Sequence, residues 1–324
     1  MFFSLALKQK QLTNLMGTEP NQDLPSENYI RVRHRKAEDG SSRDLSYPDV
    51  PEPLEVGTYD NHTHLEIADG ENPMDYREHL ELSDQAGILG AVQVGGSVET
   101  SKWSARTASI EPRLLAAVAL HPNVAAEYPN VKELDVAISE IATLAKEPRV
   151  RAIGETGLDY FRTSEEFQFL QQHSFEEHIQ IAKENNIAMQ IHDRDAHADV
   201  VETLLRVGAP DRTVFHCFSG DRELAQILID NGWYASFAGT VTFKKNVELR
   251  AALELLPPEL ILVETDAPFL TPEPLRGRPN SPYLIGITLR AMAKVRDVSV
   301  NDLAAQITKN TENVYGSWAE GLND

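Results

Sequence analysis

The stretch TYDNHTHLE, residues 58–66, places two histidines one residue apart. In an extended strand side chains alternate faces, so His62 and His64 project together. An H-x-H pair by itself is a weak signal, because two rim histidines would read the same way. Further ionisable residues, however, stand where later apolar runs end. RLLAAVALHP carries His121, RVRAIGETGLD carries Glu155, and NIAMQIHDR carries His192, with Arg194 on the same face. TVFHCFSG carries His216 and ELILVETDAPFL carries Asp266. Burying such groups without partners is costly. Imidazoles and carboxylates gathered at one place are the donor set of a metal centre.

What must gather them is the scaffold. Apolar, β-branched runs recur at GTYDNHTH, GILGAVQVGG, RLLAAVALHP, RVRAIGETGLD, NIAMQIHDR, TVFHCFSG, GWYASFAGT and ELILVETDAPFL, with helical patterns such as PMDYREHLELSDQA and VKELDVAISEIATLA between them. Buried strands alternating with helices make βα units and a parallel sheet. Eight such units predict an α/β chain folded as a (β/α)8 TIM barrel, a single domain whose active site lies at the C-terminal ends of its strands. A doubly wound open sheet is the alternative, but the first strand ends in HTHLEIADG and lacks the Gly-rich phosphate loop of that fold. The barrel domain is expected over residues 58–317. Residues 1–57, polar and rich in proline, serine and mixed charge, are expected to be a mostly disordered extension or an irregular strap over the barrel.

Composition narrows the function. The chain has 324 residues, 41% hydrophobic and 25% charged, as in globular proteins. No apolar run is long enough to span a membrane. The start MFFSLALKQK lacks a basic leader region and a small-residue cleavage site. The single cysteine, Cys217, excludes an internal disulfide, and a cytoplasmic location is expected. Cys217 follows His216 and is expected to face away from the pocket as a buried thiol. A net charge of −20 repels nucleic acid at long range, so any such substrate needs local cations or metals. Arg162, Arg194, Lys244, Lys245, Arg276 and Arg278 fall in the loops that follow strands, on the mouth side, and could supply them.

The motifs DNHTHL, AIGETGLDY, IHDRDA, HCFSG and LVETDAPFLTP, with RGRPNSP and TKNTENVYG behind them, resemble those of the TatD-type metal-dependent DNases, within the wider amidohydrolase-like barrels. The resemblance runs from about residue 58 to 317 and leaves the N-terminal extension uncovered. One departure is His178, where similar proteins tend to carry glutamine, beside Gln171 and Phe175. The resemblance implies two divalent cations: one held by His62, His64 and Asp266, a second by His192 and His216, with Glu155 bridging them. Magnesium or manganese would be the working ion, although imidazole donors also suit zinc, iron or nickel. It further implies hydrolysis of phosphodiester bonds in DNA, exonucleolytic, with a water activated by the two metals as nucleophile. Glu155, Asp266 and His121 would be catalytic, Asp266 accepting a proton and His121 touching a phosphate oxygen or acting as acid. Arg194 could clamp phosphate, Tyr160 could lie under a base, and Asn280 could contact substrate.

Other readings stay open at this point. The same barrel could hydrolyse a small amide, lactone or phosphoester, although the bridging carbamylated lysine of many such enzymes is replaced here by Glu155. It could also bind metal without turnover. No membrane and no obligate protein partner is expected. Glu264 is expected to support a ligand, and His79, His173, His178 and His197 to be surface or packing residues.

Overall fold

The structure is a computed structural model and describes residues 31–32 and 42–321. Eight strands form one parallel sheet: β1 (Thr58–Thr63), β2 (Ile88–Gly95), β3 (Leu114–Val118), β4 (Val150–Asp159), β5 (Ala188–Arg194), β6 (Thr213–Phe215), β7 (Tyr234–Phe237) and β8 (Ile261–Val263). Each pairs with its neighbour in sequence, which excludes the reversed strand order of a doubly wound sheet. The first and last strands meet through a parallel bridge between Thr63 and Ala267. There the Asp266 N–H donates to the His62 carbonyl at 2.9 Å and the His64 N–H to the Ala267 carbonyl at 2.8 Å. Barrel closure and placement of three site residues are therefore one event.

The connecting helices are α1 (Tyr76–Gln85), α2 (Val98–Ile110), α3 (Val131–Leu144), α4 (Gln168–Asn185), α5 (His197–Val207), α6 (Arg222–Asn231), α7 (Val247–Leu255) and α8 (Ile285–Arg296), with α9 (Val300–Tyr315) closing the chain. Several start on side-chain caps: Asp75 for α1, Ser97 for α2, Asn130 for α3 and Asp221 for α6. Alternation along the strands sorts the core in two. Ala116, Val118, Ile153, Met189, Ile191 and Phe215 pack outward with the helices. Val92, Val94, Leu115, Ala117, Ala152, Ala188, Val214 and Leu262 fill the barrel with Tyr59, Tyr315 and Trp318. The N-terminal end is sealed by Tyr59 stacked on Trp318, 4.0 Å between centroids. Beside it, buried Arg149 donates to the carbonyls of Pro112, Leu114, Trp318 and Glu320. Chemistry is thereby confined to the other end.

Residues 42–57 form the strap rather than loose chain. Arg43 grips both Asp69 carboxylate oxygens, at 3.1 and 2.8 Å, and the Gly277 carbonyl at 2.8 Å. The Tyr283 hydroxyl donates to the Pro48 carbonyl, and Val50, Leu54 and Val56 pack on the core. Arg31–Val32, from the basic RVRHRK segment, pairs with Ile67–Ala68; residues 1–30 and 33–41 lie outside the described residues.

Candidate metal centre

Glu155 sits at the centre of the mouth. The β4 pairing with β5 shifts register between Ile153 and Thr156, and this irregularity re-aims the carboxylate inward. Its Oε1 lies 3.4 Å from His64 Nε2. Its Oε2 lies 3.0 Å from His216 Nε2, 3.2 Å from His192 Nδ1 and 3.7 Å from His121 Nε2. Asp266 Oδ1 lies 3.7 Å from His62 Nε2 and 3.6 Å from His64 Nε2. All six residues read from the strand ends as ligands therefore meet in one cluster. Glu155 stands at its middle, and the His216 ring stacks on His62 with 4.0 Å between centroids, close to Asp266 as well.

Outer contacts fix which nitrogens face the centre. Gln190 uses its amide N–H groups on the Asn61 carbonyl and the Tyr315 hydroxyl, so its Oε1 must accept from His62 Nδ1, 2.8 Å away. His64 Nδ1 lies 3.0 Å from the Val94 carbonyl, which can only accept. When either ring is neutral the proton is thereby held outside and the Nε2 lone pair points inward; without a cation, burial opposes charge on His64, yet Glu155 and Glu66 hold a proton there. Those two Nε2 atoms are 3.2 Å apart. Two lone pairs facing at that distance repel unless a proton or a cation lies between them. The donor set thus fits a cation.

The other two histidines also have carboxylates behind them. His216 Nδ1 is 3.4 Å from Glu264 Oε1, and that oxygen accepts the Cys217 N–H at 2.7 Å. Glu264 is fully buried beside His216 Nδ1, which has no hydrogen-bond partner among the described residues. His192 Nε2 lies 3.2 Å from Asp159 Oδ2, and Asn123 donates to the same oxygen at 3.0 Å. Asp159 was not among the residues singled out from the sequence. Its signal was available, since it ends an apolar strand and shares the parity of Glu155. Gln190, polar in the middle of AMQIHDR and two residues before His192, is a second such signal.

His121 differs from the ligands. Its Nδ1 accepts the Asn123 N–H at 3.0 Å as cap of the helical turn Pro122–Ala125, so the neutral ring carries its proton on Nε2. Burial keeps this imidazole at about 3, well below its ordinary range. His121 therefore offers an N–H to the centre. In this tautomer the Nδ1 lone pair is taken by the Asn123 N–H, and Nε2 faces Glu155 Oε2 at 3.7 Å.

The charge balance without metal follows. Burial favours a neutral Glu155, but His121, His192, His216 and His64 outweigh it and hold the carboxyl well below its ordinary range. Burial opposes charge on His216 too, yet Glu155 and Glu264 push it up to about 10. Burial raises Asp266 to about 7 against the pull of His64 and His216. A cation must displace the His216 proton at any pH below about 10. Apparent metal affinity should consequently fall as pH falls, by up to ~10-fold per unit for each proton displaced. Calorimetry between pH 6 and 8 in buffers of different ionisation enthalpy checks this; an affinity and heat independent of pH and buffer would contradict it.

The sequence matches the profile of the family described as TatD related DNase over residues 59–316. The chain belongs to that family. Among its relatives, a protein named "uncharacterized metal-dependent hydrolase TatD" from Mycobacterium tuberculosis H37Rv is 38% identical over 261 residues, covering 79% of this chain and 97% of the relative. One named YcfH from Escherichia coli K12 is 42% identical over 179 residues, covering 55% and 67%. The crystal structure of YjjV, a TatD homologue from Escherichia coli, superposes with a TM-score of 0.71 at 25% identity, covering 80% of this chain and 98% of that one. A phosphotriesterase homology protein from the same species, at 15% identity and TM-score 0.57, shares the fold. Membership in the TatD family makes the chain a metal-dependent hydrolase, in keeping with the clustered histidines and carboxylates.

Several expectations at the rim of this TatD barrel need correction. Tyr160 is tied down: its hydroxyl donates to Asp199 and accepts from Gln172, at 2.8 and 2.9 Å. The exposed ring is Phe161, with the Arg194 guanidinium 3.9 Å above its centroid. Asn280 is buried and donates to the Thr265 and Phe269 carbonyls, so it shapes the loop after β8 and does not face substrate. Arg278 is spent on the strap, donating to the Ser46 and Tyr47 carbonyls. Cys217, with φ of 43°, is half-buried and lines a groove instead of facing the core. That groove, about 410 Å³, shares Lys245 and Asn246 with an adjoining one of about 320 Å³ lined by Lys244 and Arg276. Of the helix histidines, His79 and His178 are buried packing residues; His178 Nε2 accepts the Leu120 N–H at 3.2 Å and so steadies the residue before His121. His173 and His197 pair with Asp135 and Asp193. Among the described residues no helix is long and apolar enough to cross a membrane.

Proposed function

We propose that this chain is a deoxyribonuclease that hydrolyses phosphodiester bonds from a strand end. The observation that carries the reading is the placement of Glu155, whose two oxygens reach different histidines: Oε1 toward His64, Oε2 toward His216 and His192. Two divalent cations held by His62, His64 and Asp266 on one side and His192 and His216 on the other, with Glu155 shared, would acidify a water and offset charge on phosphate oxygens. Magnesium or manganese suits that work.

The chain's own groups do the rest. Asp266, 3.7 Å from His62 Nε2 and 3.6 Å from His64 Nε2, stands beside the water's place and can take its proton. His121 donates its Nε2–H to a phosphate oxygen, where growing negative charge strengthens the bond. Arg194 stands two residues beyond His192 on β5 and can pair with a flanking phosphate. On a chain of net charge −20, the exposed Lys244, Lys245 and Arg276 gather at one side of the mouth. Such sparse positive charge suits a short grip on a strand end better than a long duplex footprint.

The test is incubation of end-labelled single-stranded DNA with magnesium or manganese, beside a parallel with EDTA. Mononucleotide release that EDTA abolishes is expected. Intact DNA alongside metal-dependent hydrolysis of lactones or amides would overturn the reading.

A further inference from the structure

Phe161 is a large apolar side chain at the mouth that packing does not explain. It is 60% exposed, while the rest of its loop is firmly held. The Tyr160 N–H donates to the Arg194 carbonyl at 3.0 Å, and the Tyr160 hydroxyl bonds to α4 and α5 through Gln172 and Asp199. The Arg162 N–H donates to Asp159 Oδ1 at 3.0 Å, the carboxylate that also holds His192. Phe161 is therefore fixed between two anchored neighbours. Arg194 covers one face of its ring at 3.9 Å, and the side chain is otherwise largely exposed.

The position is informative. Phe161 follows Asp159 in the turn after β4, and Arg194 ends β5 two residues beyond His192, so the stacked pair stands at the rim beside the metal centre. The ring has no polar atom, so its occupant must be recognised by a flat π surface. The guanidinium behind it strengthens the stack and keeps N–H groups for phosphate.

We propose that Phe161, backed by Arg194, is the stacking platform for the nucleobase flanking the scissile phosphate. The inference rests on the nuclease reading above and deepens it. A base must leave its helix to lie on the ring, so the substrate is a single strand or a frayed end, with little preference among bases.

Phe161→Ala and Phe161→Trp separate platform from filler. Because the ring is exposed, both variants should melt as the parent does. Each is assayed with manganese on an unmodified oligonucleotide and on two strands lacking the base on one or the other side of the scissile bond. Phe161→Ala should raise KM on the unmodified strand about tenfold with kcat unchanged, and Phe161→Trp should not. On one of the two abasic strands the tenfold penalty should vanish, because there the parent has nothing to stack. An equal KM for Phe161→Ala and parent on the unmodified strand, or the same penalty on all three strands, overturns the platform while leaving the nuclease. Failure of the parent to cut any strand overturns the nuclease, and the platform with it.

Discussion

Glu155→Gln should abolish turnover without unfolding the protein. The substitution keeps the size of the side chain and removes one negative charge from a site where four imidazoles converge on it. A carboxylate shared by two cations cannot be replaced by an amide, whose nitrogen donates and does not coordinate. Loss of a ligand shared by both cations costs several kcal/mol of transition-state stabilisation, so activity should drop by about 10³-fold or more. Two readouts are needed. Metal retained after gel filtration should fall, and the melting temperature of the metal-free variant should stay near that of the metal-free parent. A variant that keeps its metal and more than a tenth of its activity would show that Glu155 is not the shared group.

Gly157→Ala should be the most damaging single methyl near the centre. Gly157 pairs with His192 across β4 and β5, and an added Cβ would stand 2.1 Å from the His192 carbonyl oxygen. Its φ of 140° adds backbone strain for any residue with a Cβ. Strain and overpacking each cost ~1–3 kcal/mol, so a melting point lower by on the order of 10 °C is expected. Relief by moving His192 would take a ligand off the centre, so metal affinity should fall as well. Gly232→Ala is the control. Its φ of 69° is also positive, but a Cβ there meets nothing within 4 Å, and only the left-handed cost of about 1 kcal/mol remains. Equal destabilisation of the two variants would contradict the clash.

How much of this was legible beforehand follows from how each residue is held. The clustered residues were readable because they break a simple rule: ionisable side chains at the C-terminal edges of strands that are otherwise apolar. His62, His192, His216 and Asp266 needed only the barrel to bring them together, and β-strand rhythm supplied the barrel. What strand parity could not supply lay where parity is reset. The register shift in β4 decides where Glu155 and Asp159 point, and the left-handed turn at Cys217 swings that thiol out of the core. Tyr160 and Phe161 are neighbours with exchanged roles, because Asp199 and Gln172, far along the chain, capture the hydroxyl of one and leave the other at the mouth. Tautomers were equally hidden, since they depend on Gln190 and on the Val94 carbonyl. The strap at 42–57 has no periodicity to read; its order comes from Arg43, Tyr283 and Arg278 reaching across from distant parts of the fold.

The direct measurement is anomalous scattering from crystals of the manganese-loaded protein. Two peaks are expected, one among His62, His64 and Asp266 and one between His192 and His216, with the Glu155 carboxylate reaching both. A single peak, or manganese bound away from Glu155, would contradict a shared-carboxylate pair of cations and the hydrolytic chemistry built on it.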